Sequence, residues 1–363
     1  MLSPHHITMQ DVARAAGVHQ TTVSLALRND PRLPEKTRMK IQALAEKLGY
    51  RPDPMLAALN FYRASRHVVK APPTMAFLFN LNAASELAGK YPLQLFLEGA
   101  RAQADQLGYH LDEFYVGHEA EGGRQMQRIL RARGITGVIV AAFLNQTAAF
   151  NLDWPQVSAV AIESQQLRLS LHTISTHQQA ITREAIRRLR ELGYRRIGLA
   201  VESAEDIYLK NAYTAGYYVE TSLWPDLVPL PPLIFRHTLA AEIALEIGPW
   251  VKAHQIEVVV SNWNNIPAAL ALTGMRGPRE VAVASLDVIP GSGGAQAGMR
   301  QNHRIVGERA VEQLASLMRS HIRGLVDVPN MTFIEGEWTD PRGLLRRLPG
   351  RHAGARKISK SRR

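Results

Sequence analysis

The chain has 363 residues, 46% hydrophobic and 21% charged, with no cysteine. That length predicts two or three domains, and the composition excludes wholesale disorder, a fibrous repeat and any disulfide or thiolate site. The net charge of +11 is uneven: residues 1–70 carry +6, residues 341–363 carry +9 and the stretch between carries −4, so a polyanion is expected at the ends.

Thr8 and Asp11 have the spacing of a capping pair and predict a helix over 9–16, stopped at Gly17. A second short helix is predicted over 20–28, burying Val23, Ala26 and Leu27 and presenting Gln20, Thr21, Ser24 and Leu25. A third is predicted over 35–48, with Ile41, Leu44, Ala45 and Leu48 at helical spacing and Gly49 as its stop. Three short helices in a basic setting suit a major-groove reader, whose second helix enters the groove while the first crosses the backbone. On spacing alone, a helical hairpin that merely packs is the alternative.

The residues themselves go further. The run 7–53 resembles the head of the LacI/GalR (lactose-repressor/galactose-repressor) family. Thr8, Asp11, Val12, Ala13, Ala16, Gly17, Val18, Thr22, Val23, Ser24, Thr37, Arg38, Leu48, Gly49, Tyr50 and Pro52 stand at its fixed positions. The resemblance implies that Gln20 and Thr21 choose the operator sequence. Leu25 stands where the family often has a guanine-reading arginine. Gln pairs bidentately with adenine, and an apolar side chain suits a thymine methyl. Thr8, Thr22, Ser24 and Thr37 match phosphate-holding positions, and Arg28 and Arg32 are expected phosphate partners on charge and location, with solvated surface as the alternative for both. His19 and Pro34 replace the serines that cap the second and third helices, each lost cap being worth about 1 kcal/mol. Residues 54–63 resemble the family hinge, with Leu59 at the position that wedges open the minor groove. A simple cover for the body is the alternative role for Leu59.

From Thr74 onward strands and helices alternate. Strands are predicted over 74–81, 110–116, 138–142 and 157–162, with helices over 93–107 and 123–131. A second set follows, with helices over 178–192, 209–221, 240–253 and 267–273 and strands over 196–201, 257–261 and 281–286. A late helix over 304–322 and a strand over 331–334 close the pattern. Such alternation predicts parallel β/α units in two lobes with a cleft between them. There is no G-x-S-x-G elbow, H-E-x-x-H pair or Walker lysine loop, so no enzyme, cofactor or metal is expected.

The phrases EGARAQADQLGYHL, RARGITGVIV, AIRRLRELGYRRIGLA and PREVAVASLD extend the resemblance over about residues 7–340. It implies a body similar to periplasmic sugar-binding proteins. Asn80, Asn262 and Asp287 then fall on strand ends that meet the effector, and Trp263 is placed to stack on a pyranose face. An ordinary half-buried tryptophan is the alternative for Trp263. Tyr213 and His177 stand where the family carries charged or polar anchors, which points to a neutral effector.

The expected fold is a small all-α helix-turn-helix DNA-binding domain over 1–53 and a hinge over 54–70. A two-lobed α/β periplasmic-binding-protein-like domain with parallel sheets follows over 71–340, then a basic, disordered tail over 341–363. The expected function is a transcriptional regulator acting as a repressor. It binds a pseudo-palindromic double-stranded DNA operator as a homodimer under control of a small neutral carbohydrate effector. No apolar run reaches the roughly 20 residues of a membrane helix and no secretory h-region is present, so a cytoplasmic location without membrane partners is expected. The alternatives are a regulator whose degenerate pocket no longer answers to a sugar and, from another class, a soluble carbohydrate-binding protein.

Overall fold

The computed structural model describes residues 7–27, 30, 32–50, 72–117, 122–141, 143, 152–163, 169–275, 280–289 and 296–345. Arg28, the hinge with Leu59, and the chain beyond 345 lie outside the described residues.

The head is built from α1 (Met9–Ala16), α2 (Gln20–Leu27) and α3 (Glu35–Lys47). Helices this short are marginal alone and gain their stability from one shared core. Val12, Ala13, Val23, Ala26, Ile41 and Ala45 form it, and Ile7, Met9, Val18, Leu27, Leu33 and Tyr50 pack around it. Gly17 ends α1 in the left-handed region at φ 65°, which a β-carbon would disfavour. Its amide N–H closes back onto the carbonyls of Ala13 and Arg14.

The body holds two six-stranded sheets. The first has the order β11 (Met331–Ile334), β5 (His172–Thr176), β4 (Ser158–Ile162), β3 (Gly137–Ala141), β1 (Thr74–Phe79) and β2 (His110–Tyr115), every pair parallel. Its central strands read TMAFLF, GVIVA and SAVAI and are buried almost throughout, as strands covered on both faces must be. The second has the order β12 (Glu337–Thr339), β10 (Gly298–Arg300), β9 (Ala282–Ser285), β8 (Val258–Ser261), β6 (Ile197–Glu202) and β7 (Leu233–Phe235). Only the β10–β12 pair is antiparallel. Here the period of two is explicit. Ile197, Leu199 and Val201 enter one core with Val258 and Val260, while Ala200 and Val259 enter the opposite one.

Eight helices join these strands among the described residues: α4 (Tyr91–Gln106), α5 (Gly122–Ala132), α6 (Gln178–Glu191), α7 (Ser203–Tyr208), α8 (Ala212–Leu223), α9 (Ala240–His254), α10 (Ile266–Leu272) and α11 (His303–Arg319). Helix α11 follows a strand of the second sheet but packs on α4, beside the first. The crossing is backbone to backbone: a β-carbon on Gly99 would overlap the Arg304 carbonyl, and one on Gly307 would overlap that of Phe96. Gln103 on α4 donates to Glu312 on α11 at 3.2 Å.

Several details differ from the sequence reading. The helix expected over 209–221 begins only at Ala212, as α8, because Lys210 and Asn211 take φ of 57° and 58°; α7, just before that break, was not expected. Asp206 fixes that break by accepting from the amides of Tyr213 and Thr214 and from the Thr214 hydroxyl. Strands β5, β7, β10 and β12 were not expected. The body also continues past 340. Leu345 is 1% exposed in the core of the second lobe, and the Asp340 carboxylate accepts the Leu344 and Leu345 amides.

Candidate nucleic-acid interface and ligand cleft

On the head, α2 carries Gln20 and Thr21 exposed and Thr22, Ser24 and Leu25 half-buried. Leu25 stays outside the hydrophobic cluster that claims Leu27. The expected loss of the α2 cap does not occur. His19 Nδ1 accepts the Thr21 amide at 3.4 Å and lies 2.9 Å from the Thr21 hydroxyl, so the imidazole caps the helix in place of a serine. Pro34 does leave α3 without a side-chain cap.

Two expected phosphate ligands already have partners. The Thr8 hydroxyl donates to Asp11 at 2.6 Å and accepts the Asp11 amide, closing the capping box of α1. Arg32 grips Asp30 with Nε and Nη2 at 2.9 and 2.8 Å, which holds the Asp30 carboxyl well below its usual range. Arg38 instead donates to the carbonyls of Leu33 and Asp30, and Gln42 to that of Ala26, which fixes the α2–α3 connection. Thr37 is half-buried on the first turn of α3.

Within the body, a cleft of about 500 Å³ lies between the two lobes. Of the residues expected there, Tyr213, Asn262, Trp263 and Asp287 line it; Asn80 and His177 do not. Asn80 is buried at the end of β1. His177 sits at the start of α6, 2.7 Å from Glu335 and stacked on Phe333 at 4.5 Å between ring centres, so its ring serves the edge of the first sheet.

The sequence reading missed the acidic wall. Glu163, Glu202 and Glu205 line the cleft beside Asp287. Glu163 follows β4 at φ 48° and accepts from the Thr176 hydroxyl at 2.7 Å and from Gln178 at 3.2 Å. Glu202 ends β6 and caps α7, taking the Ala204 and Glu205 amides at 3.0 and 2.7 Å. Glu205 is half-buried by residue but its carboxyl is enclosed, and that burial pushes its pKa up to about 7. Tyr213, 2% exposed, has its hydroxyl 3.2 Å from Gln301, and burial drives its pKa well above the usual value.

His303, at the start of α11, is 4% exposed and reaches Asp287 beyond β9 at 2.9 Å. Burial pulls its pKa down, but the Asp287 charge and hydrogen bond outweigh that and leave it raised. Asn262 is 8% exposed. Its amide faces the Glu205 carboxyl outside ordinary hydrogen-bond geometry, and neither amide atom has a hydrogen-bond partner. Buried amides are ordinarily paired, so this one is an exception among the residues that line the cleft. Apolar cover comes from Leu93, Phe96, Tyr208, Leu209 and Trp263. Glu202 and Glu205 are neighbours in sequence, but no signal there pairs them with Glu163, which meets them only when the lobes face each other.

A three-helix head followed by two α/β lobes around a cleft is the arrangement these elements build. Residues 8–53 match the family of bacterial regulatory proteins, lacI family. It is 27% identical over 215 residues to the HTH-type transcriptional regulator KdgR of Bacillus subtilis (strain 168), a match spanning 58% of this chain and 59% of that regulator. It is 49% identical over 47 residues to the probable HTH-type transcriptional repressor ExuR of the same organism, across 13% of this chain and 14% of that protein. A transcriptional regulator CelR–cellobiose complex shares the fold at a TM-score of 0.58 and 16% identity, covering 92% of this chain and 98% of that one.

Proposed function

We propose that this chain is a sequence-specific DNA-binding transcriptional regulator that acts as a repressor and answers to a small, sugar-class molecule in the interlobe cleft. The observation that carries the reading is the head: a three-helix core that holds Gln20 and Thr21 exposed on α2, within a segment matching the lacI family over residues 8–53. Gln20 reads adenine, Thr21 and Leu25 read neighbouring base edges, and Thr22, Ser24, Thr37 and Arg32 hold phosphates. Arg28 belongs with these phosphate partners, and Leu59 is the minor-groove wedge; both lie outside the described residues. The protein works as a homodimer on a pseudo-palindromic operator, because one small head covers too little DNA for specific binding. No described helix is long and apolar enough to cross a membrane, which suits a regulator that acts on DNA in the cytoplasm.

A ligand controls such a protein only by binding the two lobe arrangements unequally. Asp287, Asn262, Tyr213 and Trp263 support that role for the cleft, since they arise on the second lobe and face Phe96 and Glu163 of the first. Selection of duplexes from a random library by the full-length protein at about 150 mM salt tests the reading. Enrichment of a palindrome with a central pyrimidine–purine step is expected; recovery of unrelated sequences would overturn it.

A further inference from the structure

The proposed effector role leaves the chemistry of the effector open, and the cleft narrows it. We infer that the cleft takes a hydroxylated small molecule bearing a protonated amine, such as an amino sugar, and selects it over its neutral or acidic counterpart. This rests on the cleft being the effector site.

The charge balance is the first argument. Four carboxylates line the cleft: Glu163 from the first lobe, and Glu202, Glu205 and Asp287 from the second. Against them stand His303, already engaged by Asp287 at 2.9 Å, and Lys90, exposed at the rim. The donors on Glu163 and Glu202 are neutral: backbone amides, a threonine hydroxyl and the Gln178 amide. Among the described residues, none of Glu163, Glu202 and Glu205 has a lysine or arginine ion-pair partner. Helix and amide dipoles orient these carboxylates without cancelling their charge. Burial first, and then the charges of Glu163, Asp287 and Glu202, favour the protonated form of Glu205, outweighing the opposing pull of the Asn262 amide.

An acidic lining alone would be ambiguous; Asn262 is the second argument. Its buried amide has an unpaired oxygen and an unpaired nitrogen at the carboxylate wall. The oxygen accepts from an ammonium group, and the nitrogen donates to a hydroxyl. A neutral hexose satisfies the amide but leaves the wall uncompensated. A uronate or sugar phosphate adds like charge. The apolar cover from Phe96 and Trp263 suits the C–H face of a ring, and Trp263 and Tyr208 bring aromatic faces that also favour a cation. The vacated anchors pointed to a neutral ligand; the glutamates they left in charge of the cleft point to a cationic one.

An ammonium beside Glu205 favours its ionised form, so binding near pH 7 releases a proton: the carboxylic acid loses H⁺ to the buffer as the ammonium–carboxylate pair forms. The experiment is isothermal titration of the full-length protein with matched pairs: D-glucosamine against D-glucose, D-galactosamine against D-galactose, and D-mannosamine against D-mannose. D-glucuronate and N-acetyl-D-glucosamine serve as charge controls, and each titration is run in phosphate and in Tris. At least one amine is expected to bind tenfold or more tightly than its neutral partner, with proton release revealed by the difference between buffers. E163Q and E205Q, checked for folding by thermal unfolding, are expected to shrink that preference. A hexose or glucuronate binding as tightly as the amine overturns the proposal and leaves the regulator reading standing. Silence from every compound, in protein that still selects an operator, overturns it too. Loss of operator selection is a failure of the regulator reading instead.

Discussion

The imidazole of His19 and the side chain of Thr21 form one unit at the start of the second head helix, with Nδ1 2.9 Å from the hydroxyl and accepting the Thr21 amide at 3.4 Å. An Nδ1 that accepts the amide carries its proton on Nε2, so the hydroxyl donates inward to the ring. What Thr21 then offers outward is its oxygen lone pairs. In the base-reading role proposed for it, Thr21 would favour a base-edge donor, the amino group of adenine or cytosine, over an acceptor.

His19→Ala removes this cap and is expected to cost about 1 kcal/mol of head stability, whereas His19→Ser retains most of it. Chemical denaturation of the two variants provides the comparison. Operator selection with His19→Ala is expected to show relaxed preference at the Thr21 base, because the hydroxyl becomes free to donate.

Gln20→Ala should cost about 1–3 kcal/mol of discrimination at a single base pair of the half-site and leave nonspecific affinity nearly unchanged. Titration against the selected operator and a scrambled duplex separates the two effects. Equal losses on both duplexes would place Gln20 on the phosphate backbone.

On the phosphate role proposed for Arg32, Asp30 would compete with DNA for it, since both guanidinium contacts are short and charge-assisted. In Asp30→Asn the guanidinium is released toward phosphate. Nonspecific binding is expected to tighten, and the slope of log affinity against log salt to steepen by roughly 0.9, one counterion's worth. An unchanged slope would leave Arg32 as solvated surface.

Glu205 and His303 both have folded pKa values above their ordinary ones of 4.5 and 6.5. A raised folded value contributes stability that is full below the ordinary pKa and is lost as pH climbs through the folded one. For Glu205 the loss runs from about 4.5 to about 7; for His303 it begins near 6.5 and extends above it. Unfolding temperature relative to Glu205→Gln should therefore fall across the first window, and relative to Asp287→Asn above the second. A difference curve that rises with pH in either comparison would contradict the assignment.

Gly307→Ala forces α11 off α4, because the added carbon meets the Phe96 carbonyl and backbone does not yield as a side chain would. Overpacking of this kind costs roughly 1–3 kcal/mol. A lowered urea midpoint with an unchanged slope is the expected result.

The head was legible because its determinants are local. The Thr8–Asp11 pair, Gly17, and the 3.6-residue spacing of Ile41 and Ala45 act within a few residues of one another. His19 misled because a ring nitrogen is not counted among the usual caps. In the body, the long apolar strands announced themselves, whereas β5, with the sequence HTIST, is short and carries hydroxyls that hide it. One of those hydroxyls, that of Thr176, donates to Glu163 at the cleft. The cleft was half readable. Asn262 and Asp287 follow strands, where a sequence pattern can find them, but Glu163, Glu202 and Glu205 gain meaning only from each other. His177 failed for the complementary reason: one step along the helix, Gln178 is the residue that turns toward the cleft.

The strand order of the first sheet has a consequence for how the protein is made. β1 to β5 emerge from the ribosome within the first half of the chain, but the strand that seals the edge of β5 is β11, at 331–334. Between them the nascent chain must deliver most of the second sheet and then α11. During that interval β5 presents an open edge, the kind of surface that recruits other strands. The polar HTIST sequence is well suited to the wait, because hydroxyls and a histidine tolerate water better than the VIV-type runs beside them. Slow synthesis or truncation shortly before Met331 would leave a near-complete chain with one lobe unsealed, and such fragments are expected to aggregate through the first sheet.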